Sequence, residues 1–477
     1  MNLTRIMDGS RIAAGGLKDF ASGLVQPTLR LGVTGLSRSG KTVFITSLVH
    51  ALLKQARLPV FEAMAQGRIT QSYLEPQPDD DLPRFAYEDH IAALTSTDRH
   101  WPESTRRISQ LRITLDYQPT GFFARNFGSG KLHVDIVDYP GEWVLDLPLM
   151  NFNYQQWSAR TIAASRKAPR ITLAKKWHAH LQSLSADRPA QESDAVAAAA
   201  LFTNYLASCR SEEVSLSSLP PGRFLMPGDL AGSPLLTFAP LDVAEDAQFV
   251  AGSLGQLMAR RYESYVAKVV KPFFFGHFAR LDRQIVLVDV LTALNAGATA
   301  VNDLKTTLTD VMSSFRLGAN SFVSELFGHR IEKILFAATK ADLLHHTSHN
   351  RLEAILKVLV EDAALRAEYA GATFDITAIA AIRATREASV KQKSEELACI
   401  AGIPQEGEKL GTTIFDGIKE AAIFPGDLPE NPQAALNGEL EGQLKFLRFR
   451  PPLLQGATFP HIRVDRALEF LIGDKFP

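Results

Sequence analysis

The sequence has little cysteine, no long apolar run and no excess charge of one sign, and each shortage excludes a class of protein. Cys209 and Cys399 are the only 2 cysteines among 477 residues. They lie far apart and match no metal-ligand spacing, so neither a disulfide framework nor a structural zinc site is supported, and a reducing compartment fits best. No window approaches the roughly 18 consecutive apolar residues of a spanning helix. The run Ala195 to Phe202 is among the longest, and it is short and alanine-rich. The first residues, MNLTRIMDGSRIAAGGLKDF, scatter charges where a secretory signal needs an unbroken apolar core. Lys and Arg total 51 against 52 Asp and Glu, a net charge of −1. Nothing global therefore draws the chain to nucleic acid or an anionic membrane, because that attraction runs on excess positive charge. The expectation is a cytoplasmic protein with no transmembrane segment and no nucleic-acid partner, reaching a membrane only through a surface or a partner.

What is present is a globular composition, 46% hydrophobic and 22% charged, ample for a core. At about 150 residues per domain the length corresponds to roughly three domains' worth of chain.

The first strong signal is the buried-strand run Leu31-Gly32-Val33-Thr34, followed by Gly35-Leu36-Ser37-Arg38-Ser39-Gly40-Lys41-Thr42. After it, Val43, Phe44, Ile45, Leu48, Val49 and Leu52 recur at helical spacing. Strand, glycine-bracketed loop and helix form the context that the phosphate-binding pattern GxxxxGK[ST] requires. Ser37, Arg38, Ser39, Gly40, Lys41, Thr42 and Val43 would cradle the phosphates with backbone N–H groups and a helix N-terminus. Lys41 would reach the β- and γ-phosphates, and the Thr42 hydroxyl would ligate Mg²⁺.

A second signal is the alternating strand Leu132, Val134, Ile136, ending in Asp138-Tyr139-Pro140-Gly141. This matches DxxG, in which the carboxylate, here Asp138, holds the Mg²⁺ shell and the glycine N–H, here Gly141, senses the γ-phosphate. Upstream, Ile108 to Tyr117 alternate as a candidate antiparallel partner. Between the first helix and that strand a threonine is needed to close over Mg²⁺ and the γ-phosphate. Thr105, in Trp101-Pro102-Glu103-Ser104-Thr105, is the choice over Thr95 and Thr97 nearby.

The third signal concerns the base. The buried-strand run Ile334 to Ala338 ends in Thr339-Lys340-Ala341-Asp342, matching [NT]KxD. A carboxylate there accepts from the ring N–H and exocyclic amino group of guanine, a donor pair that adenine lacks. Lys340 would lay its stem along the purine face. Gln284 to Val290 reads as another buried strand and Phe374 to Thr377 as the last one. Ala381 and Ile382, in Ala380-Ala381-Ile382, are taken as a second base-contacting loop. All three motifs stand at carboxyl ends of strands, where open α/β sheets bind ligands.

With these residues in hand, the chain resembles the YcjX-like family, bacterial P-loop proteins with a Ras-like guanine-nucleotide domain. The resemblance is carried by LGVTGLSRSGKTVFITSLVHALL, the WPEST segment, DIVDYPGEWVLDLPLM, QIVLVDVLTALNAG and FAATKADLLHH. It implies a stress-associated GTP-binding protein, sometimes encoded beside an inner-membrane protein, so GTP or GDP, Mg²⁺ and an unidentified protein partner, an inner-membrane one included, are expected. One position departs from many small GTPases, which carry glutamine after the DxxG glycine to orient the attacking water; here it is Glu142. Slow intrinsic hydrolysis follows, or hydrolysis organised by another group. Arg38 is a candidate cis charge stabiliser, set against a solvent-facing role.

The expected fold is α/β: a Ras-like, mostly parallel six-stranded sheet flanked by helices. Residues 30–150 and 280–390, with a closing helix near 460–477, form a discontinuous nucleotide domain. A mainly helical insertion at 151–279, a second small one at 391–459 and an N-terminal extension at 1–29 complete the division. Arg160, Arg166, Lys167, Arg170, Lys175 and Lys176 read as a solvated face, and Phe273, Phe274, Phe275 and Phe278 as buried. His345, His346 and His349 suggest a metal, but no carboxylate or thiol completes a set, so they read as a loop beside the base site. Two functional readings remain: a Mg²⁺-dependent GTPase, and a nucleotide sensor with negligible hydrolysis. ATP hydrolysis is a third, weaker one.

Overall fold

The apolar runs at Leu31, Leu132, Ile285 and Ile334 become neighbouring strands because each is buried on both faces, which only a sheet covered by helices on both sides permits. The computed structural model describes residues 27–36, 38–103, 105, 107–120, 130–211, 216, 220–313, 331–369, 371–392, 395–454 and 456–477. Most of the expected N-terminal extension, and Ser37, lie outside the described residues. The central strands are β1 (Thr28–Gly35), β2 (Ile69–Glu75), β3 (Ser109–Tyr117), β4 (Gly130–Asp138), β5 (Arg283–Val288), β6 (Lys333–Ala338) and β7 (Thr373–Ala378), in the order β2-β3-β4-β1-β5-β6-β7. All pairings from β4 to β7 are parallel, whereas β3 runs antiparallel to β4 and β2 to β3.

The sheet has seven strands, not six. The extra one is β2, whose sequence ITQSYLE carries polar or exposed positions through most of its length. An edge strand with one neighbour needs no continuous apolar run, so periodicity did not reveal it.

The chain divides into two units. The described residues of Met1–Tyr139, Arg280–Val301 and Arg316–Pro477 form the first, and Pro140–Ala279 with Asn302–Phe315 the second. In the first, one face of the sheet packs on the helix Lys41–Leu53 and the closing helix Val464–Ile472, through Phe44, Ile45, Leu48, Leu468 and Leu471. Each such side chain contributes about 1.5–3 kcal/mol on burial. The helix His349–Tyr369 packs on β6 and β7 and buries Leu352, Ile355, Leu356 and Leu359. This unit also holds a three-stranded sheet of β8 (Arg386–Gln392), β9 (Glu395–Gly402) and β12 (Ala421–Ile423), and the hairpin of β10 (Lys409–Leu410) and β11 (Thr413–Ile414).

The second unit is helical among its described residues, with helices Tyr154–Ser165, Lys175–Gln182, Glu192–Cys209 and Leu254–Tyr265. Its core is aromatic: Trp157 stacks on Tyr262 with centroids 5.1 Å apart, and Phe202, Phe238 and Trp177 pack around them. Phe273, Phe274 and Phe278 are buried. Of the basic set, Arg160, Arg166 and Arg170 pair with Asp310, Asp242 and Asp303. Both cysteines are buried and free.

Candidate functional site

The loop from Gly35 to Thr42 begins where β1 stops. A Cβ on Gly35 would lie 2.2 Å from the Ser39 hydroxyl, so the loop can curl back on the strand only because this residue has no side chain. Arg38 and Gly40 take left-handed backbone, at φ 65° and 85°, and the helix Lys41–Leu53 then starts with Phe44 N–H donating to Gly40 O. Lys41 is buried, and its ammonium donates to Gly35 O at 2.9 Å, which folds it over the loop. The Ser39 hydroxyl is buried with no hydrogen-bond partner among the described residues. Arg38 is exposed, and the Val43 side chain packs against the cluster of Leu94, Ile382 and Phe459.

Three side chains far apart in sequence form one hydrogen-bonded chain beside this loop. The Thr42 and Thr105 hydroxyls are 3.2 Å apart, and Thr105 donates to one Asp138 oxygen at 2.5 Å. Glu103 O, 3.4 Å from the Thr42 hydroxyl, is the alternative acceptor for its single proton. The other Asp138 oxygen is buried without a partner among the described residues. Burial raises the Asp138 carboxyl to about 6, against the lowering effects of Lys41 and the Thr105 hydroxyl. The parallel register sets this meeting, because β4 lies beside β1 with Asp138 opposite Val33, near the start of the loop. A carboxylate oxygen left unpaired in a dry site is costly unless a ligand satisfies it. Two hydroxyls and a carboxylate are also the hard oxygen donors that Mg²⁺ takes. The residues present therefore fit the metal.

At the other end, β6 delivers Thr339 to Asp342. Lys340 is left-handed, at φ 61°, and its ammonium donates to Asp289 at 2.5 Å. Asp289 follows β5 and caps the helix Val290–Asn295 by accepting from Thr292. The buried Asp342 carboxylate accepts from Ala384 N–H at 3.0 Å, and its main-chain carbonyl accepts from the Thr385 hydroxyl at 2.5 Å. Burial raises its carboxyl to about 6, opposed by the Ala384 N–H. The Ser47 hydroxyl donates to Ala381 O at 2.6 Å, joining the first helix to the loop after β7. Ile382 points into the cluster with Leu94 and Phe459. The closing segment also supports this loop, through reciprocal main-chain bonds between Ala380 and Ile462.

The structure thus brings Lys41, Thr42, Thr105 and Asp138 together at one end, and Lys340 and Asp342 at the other. Gly141 and Glu142 belong to the second unit, in a short helix Gly141–Val144. There Glu142 is buried and paired with Arg210 at 3.2 Å. A Cβ on Gly222 would lie 1.9 Å from Glu142 O, so the backbone at Gly222 runs hard against that segment. Asp146, buried and raised to about 6 by that burial, accepts from Gly222 N–H at 2.6 Å and from the Tyr265 hydroxyl at 2.5 Å. Sequence reasoning missed Asp289, Ser47 and Arg210. A signal existed for Asp289, a carboxylate closing an apolar strand run. Ser47 lies on a helix and Arg210 just after one, and helical spacing says nothing about what they face.

Comparison with known proteins agrees with this geometry. The model of the YcjX-like family, DUF463, matches residues 29–476. The chain belongs to the YcjX-like family. It is 37% identical over 458 residues to the Ras-like GTPase YcjX of Escherichia coli, covering 94% of this chain and 96% of that relative. It is 34% identical over 473 residues to the Ras-like GTPase YcjX of Shewanella oneidensis, covering 94% of each. Among the described residues no helix is long and apolar enough to cross a membrane.

Proposed function

We propose that this chain is a guanine-nucleotide-binding protein that hydrolyses GTP slowly to GDP and phosphate and acts as a conformational switch. The observation that carries it is the Thr42–Thr105–Asp138 chain with its unsatisfied carboxylate oxygen, set beside the buried Lys41. Kinship to two proteins named Ras-like GTPases supports the same reading. The Gly35 to Thr42 loop would grip the phosphates through backbone N–H groups, with Lys41 exchanging Gly35 O for β- and γ-oxygens. Thr42, Thr105 and Asp138 would hold Mg²⁺, which when bound supplies the positive charge that offsets charge developing on the phosphates. Asp342 would accept from guanine, its carboxylate already oriented by Ala384 N–H. Gly141 would sense the γ-phosphate, and Arg38 stands as the candidate charge stabiliser. The proposed setting is the cytoplasm under stress, with a protein partner, an inner-membrane protein among the candidates, reading the nucleotide state.

The second reading, a nucleotide sensor with negligible hydrolysis, is favoured by one observation. Glu142, where many GTPases orient water with glutamine, is committed to Arg210. Single-turnover hydrolysis of γ-labelled GTP by the wild type and Lys41→Ala separates the two. Phosphate release above the variant is expected, and equal release would leave only the sensor.

A further inference from the structure

His345 and His346 stand three and four residues beyond Asp342, in a segment whose third imidazole, His349, is engaged elsewhere. The fold supplies a third ligand. Glu387, in β8, lies with its Oε2 2.9 Å from His346 Nδ1. Ligand atoms of His345, His346 and Glu387 all fall within 4.8 Å of one another. Neighbouring ligands around a tetrahedral ion, each at about 2.0–2.2 Å from it, are separated by about 3.3 Å. Small side-chain rotations therefore suffice to close the set.

Side chains extend to opposite sides from adjacent residues of a strand, so two successive histidines share a ligand set only where the chain turns. Here it turns: His345 is extended, at φ −68° and ψ 149°, and a 3-10 turn starts at His346. The two rings come to 4.2 Å between centroids. Two of the three groups also have the outer hydrogen bonds that fix ligands. His345 Nδ1 is 3.0 Å from the Thr347 hydroxyl, which leaves Nε2 as its ligand atom. Arg383 donates to Glu387 Oε1 at 3.1 Å, leaving Oε2 for the ion. His346 and Glu387 are exposed, which provides an entry path and room for a water ligand. His349, which the sequence groups with this pair, faces away, its Nε2 at 2.9 Å from Ala341 O.

We propose that His345, His346 and Glu387 form a site for a divalent transition-metal ion of the zinc class, which ties the loop after Asp342 to the start of β8. Two imidazoles and one carboxylate suit borderline ions such as Zn²⁺ or Co²⁺ better than Mg²⁺. The position gives the tie a consequence, because Ala384 and Thr385, just before Glu387, hold Asp342. The ion would lock both walls of the pocket that orients that carboxylate.

Zn²⁺ titrated calorimetrically into the full chain tests this, with Glu387→Gln, His346→Ala and the exposed, unrelated His100→Ala as comparisons. One ion per wild-type chain is expected. The first two variants weaken binding at least about tenfold, and His100→Ala leaves it unchanged. Co²⁺ should give visible absorption of nitrogen and oxygen ligands in the wild type and lose it in Glu387→Gln. Zn²⁺ should also slow amide hydrogen exchange around residues 344–348 and 386–388. Equal affinity in wild type, Glu387→Gln and His346→Ala, or no Zn²⁺ bound by the wild type, overturns the site; unchanged exchange at both segments overturns the tie. None of these readouts requires nucleotide, so failure here is distinct from failure of the GTPase reading.

Discussion

The two ends of the candidate site hold their carboxylates differently. Asp138, at the proposed phosphate end, has one oxygen bonded to the Thr105 hydroxyl and the other buried without a partner among the described residues. Asp342, at the proposed base end, has its carboxylate held by the Ala384 N–H and its main-chain carbonyl by the Thr385 hydroxyl, both from the segment after β7. Burial raises both to about 6. The difference teaches which end is left for a ligand to complete and which is preset. An unsatisfied buried oxygen costs about 1–3 kcal/mol, and a ligand that satisfies it recovers that energy on binding. A carboxylate fixed by main chain gains less from binding but discriminates better, because a wrong base cannot bend it to fit.

The largest expected effect comes from breaking the preset end. Asp342→Asn should weaken GTP binding roughly 100-fold and shift preference toward xanthosine triphosphate, since removing one partner of a buried charged hydrogen bond costs about 2–5 kcal/mol. Fluorescent-nucleotide titration with both triphosphates checks this. Equal affinity of wild type and variant for GTP would place guanine elsewhere.

Acid should weaken both ends together. Mg²⁺ and guanine need the charged carboxylates, so with both groups near 6 the affinity for GDP with Mg²⁺ should fall about tenfold from pH 7.5 to 5.5. The ligand-free fold runs the other way. Carboxyls raised on folding give a stabilising contribution that is full below the ordinary carboxylate range and lost as pH rises through about 6. Binding isotherms across that range and melting of the free protein read the two opposed trends.

Thr105→Val sharpens the comparison, since it removes a donor at the ligand-completed end only. The Mg²⁺ concentration needed for half-maximal GTP retention should rise about fivefold, and GDP binding without Mg²⁺ should not change. Asp289→Asn should have the smallest effect. It weakens the ion pair of Lys340, whose own side chain is 36% exposed, an interaction of about 1 kcal/mol or less, so GDP release measured by stopped flow should change no more than about threefold.

The Gly35 to Thr42, DxxG and TKAD segments were legible as motifs because each is a short local pattern at a strand end, and the strand runs beside them are buried on both faces. The edge strand β2 was not, because it has one neighbour and half-polar faces. Glu142 was legible only as a departure from glutamine. That its charge is neutralised by Arg210, 68 residues away, is a contact no spacing encodes.

By itself the sequence determined the α/β class, the order of the motifs and the residue types at each strand end, because each motif is a short pattern of fixed spacing next to an apolar strand run. Only the tertiary structure decided which threonine joins Thr42 and Asp138, what holds Asp342, and that Glu387 stands against His346. Each of those pairs is separated by tens of residues or more and meets through strand pairing and turns. Their geometry is set by the burial of the sheet around them, a property of the whole fold and of no single segment.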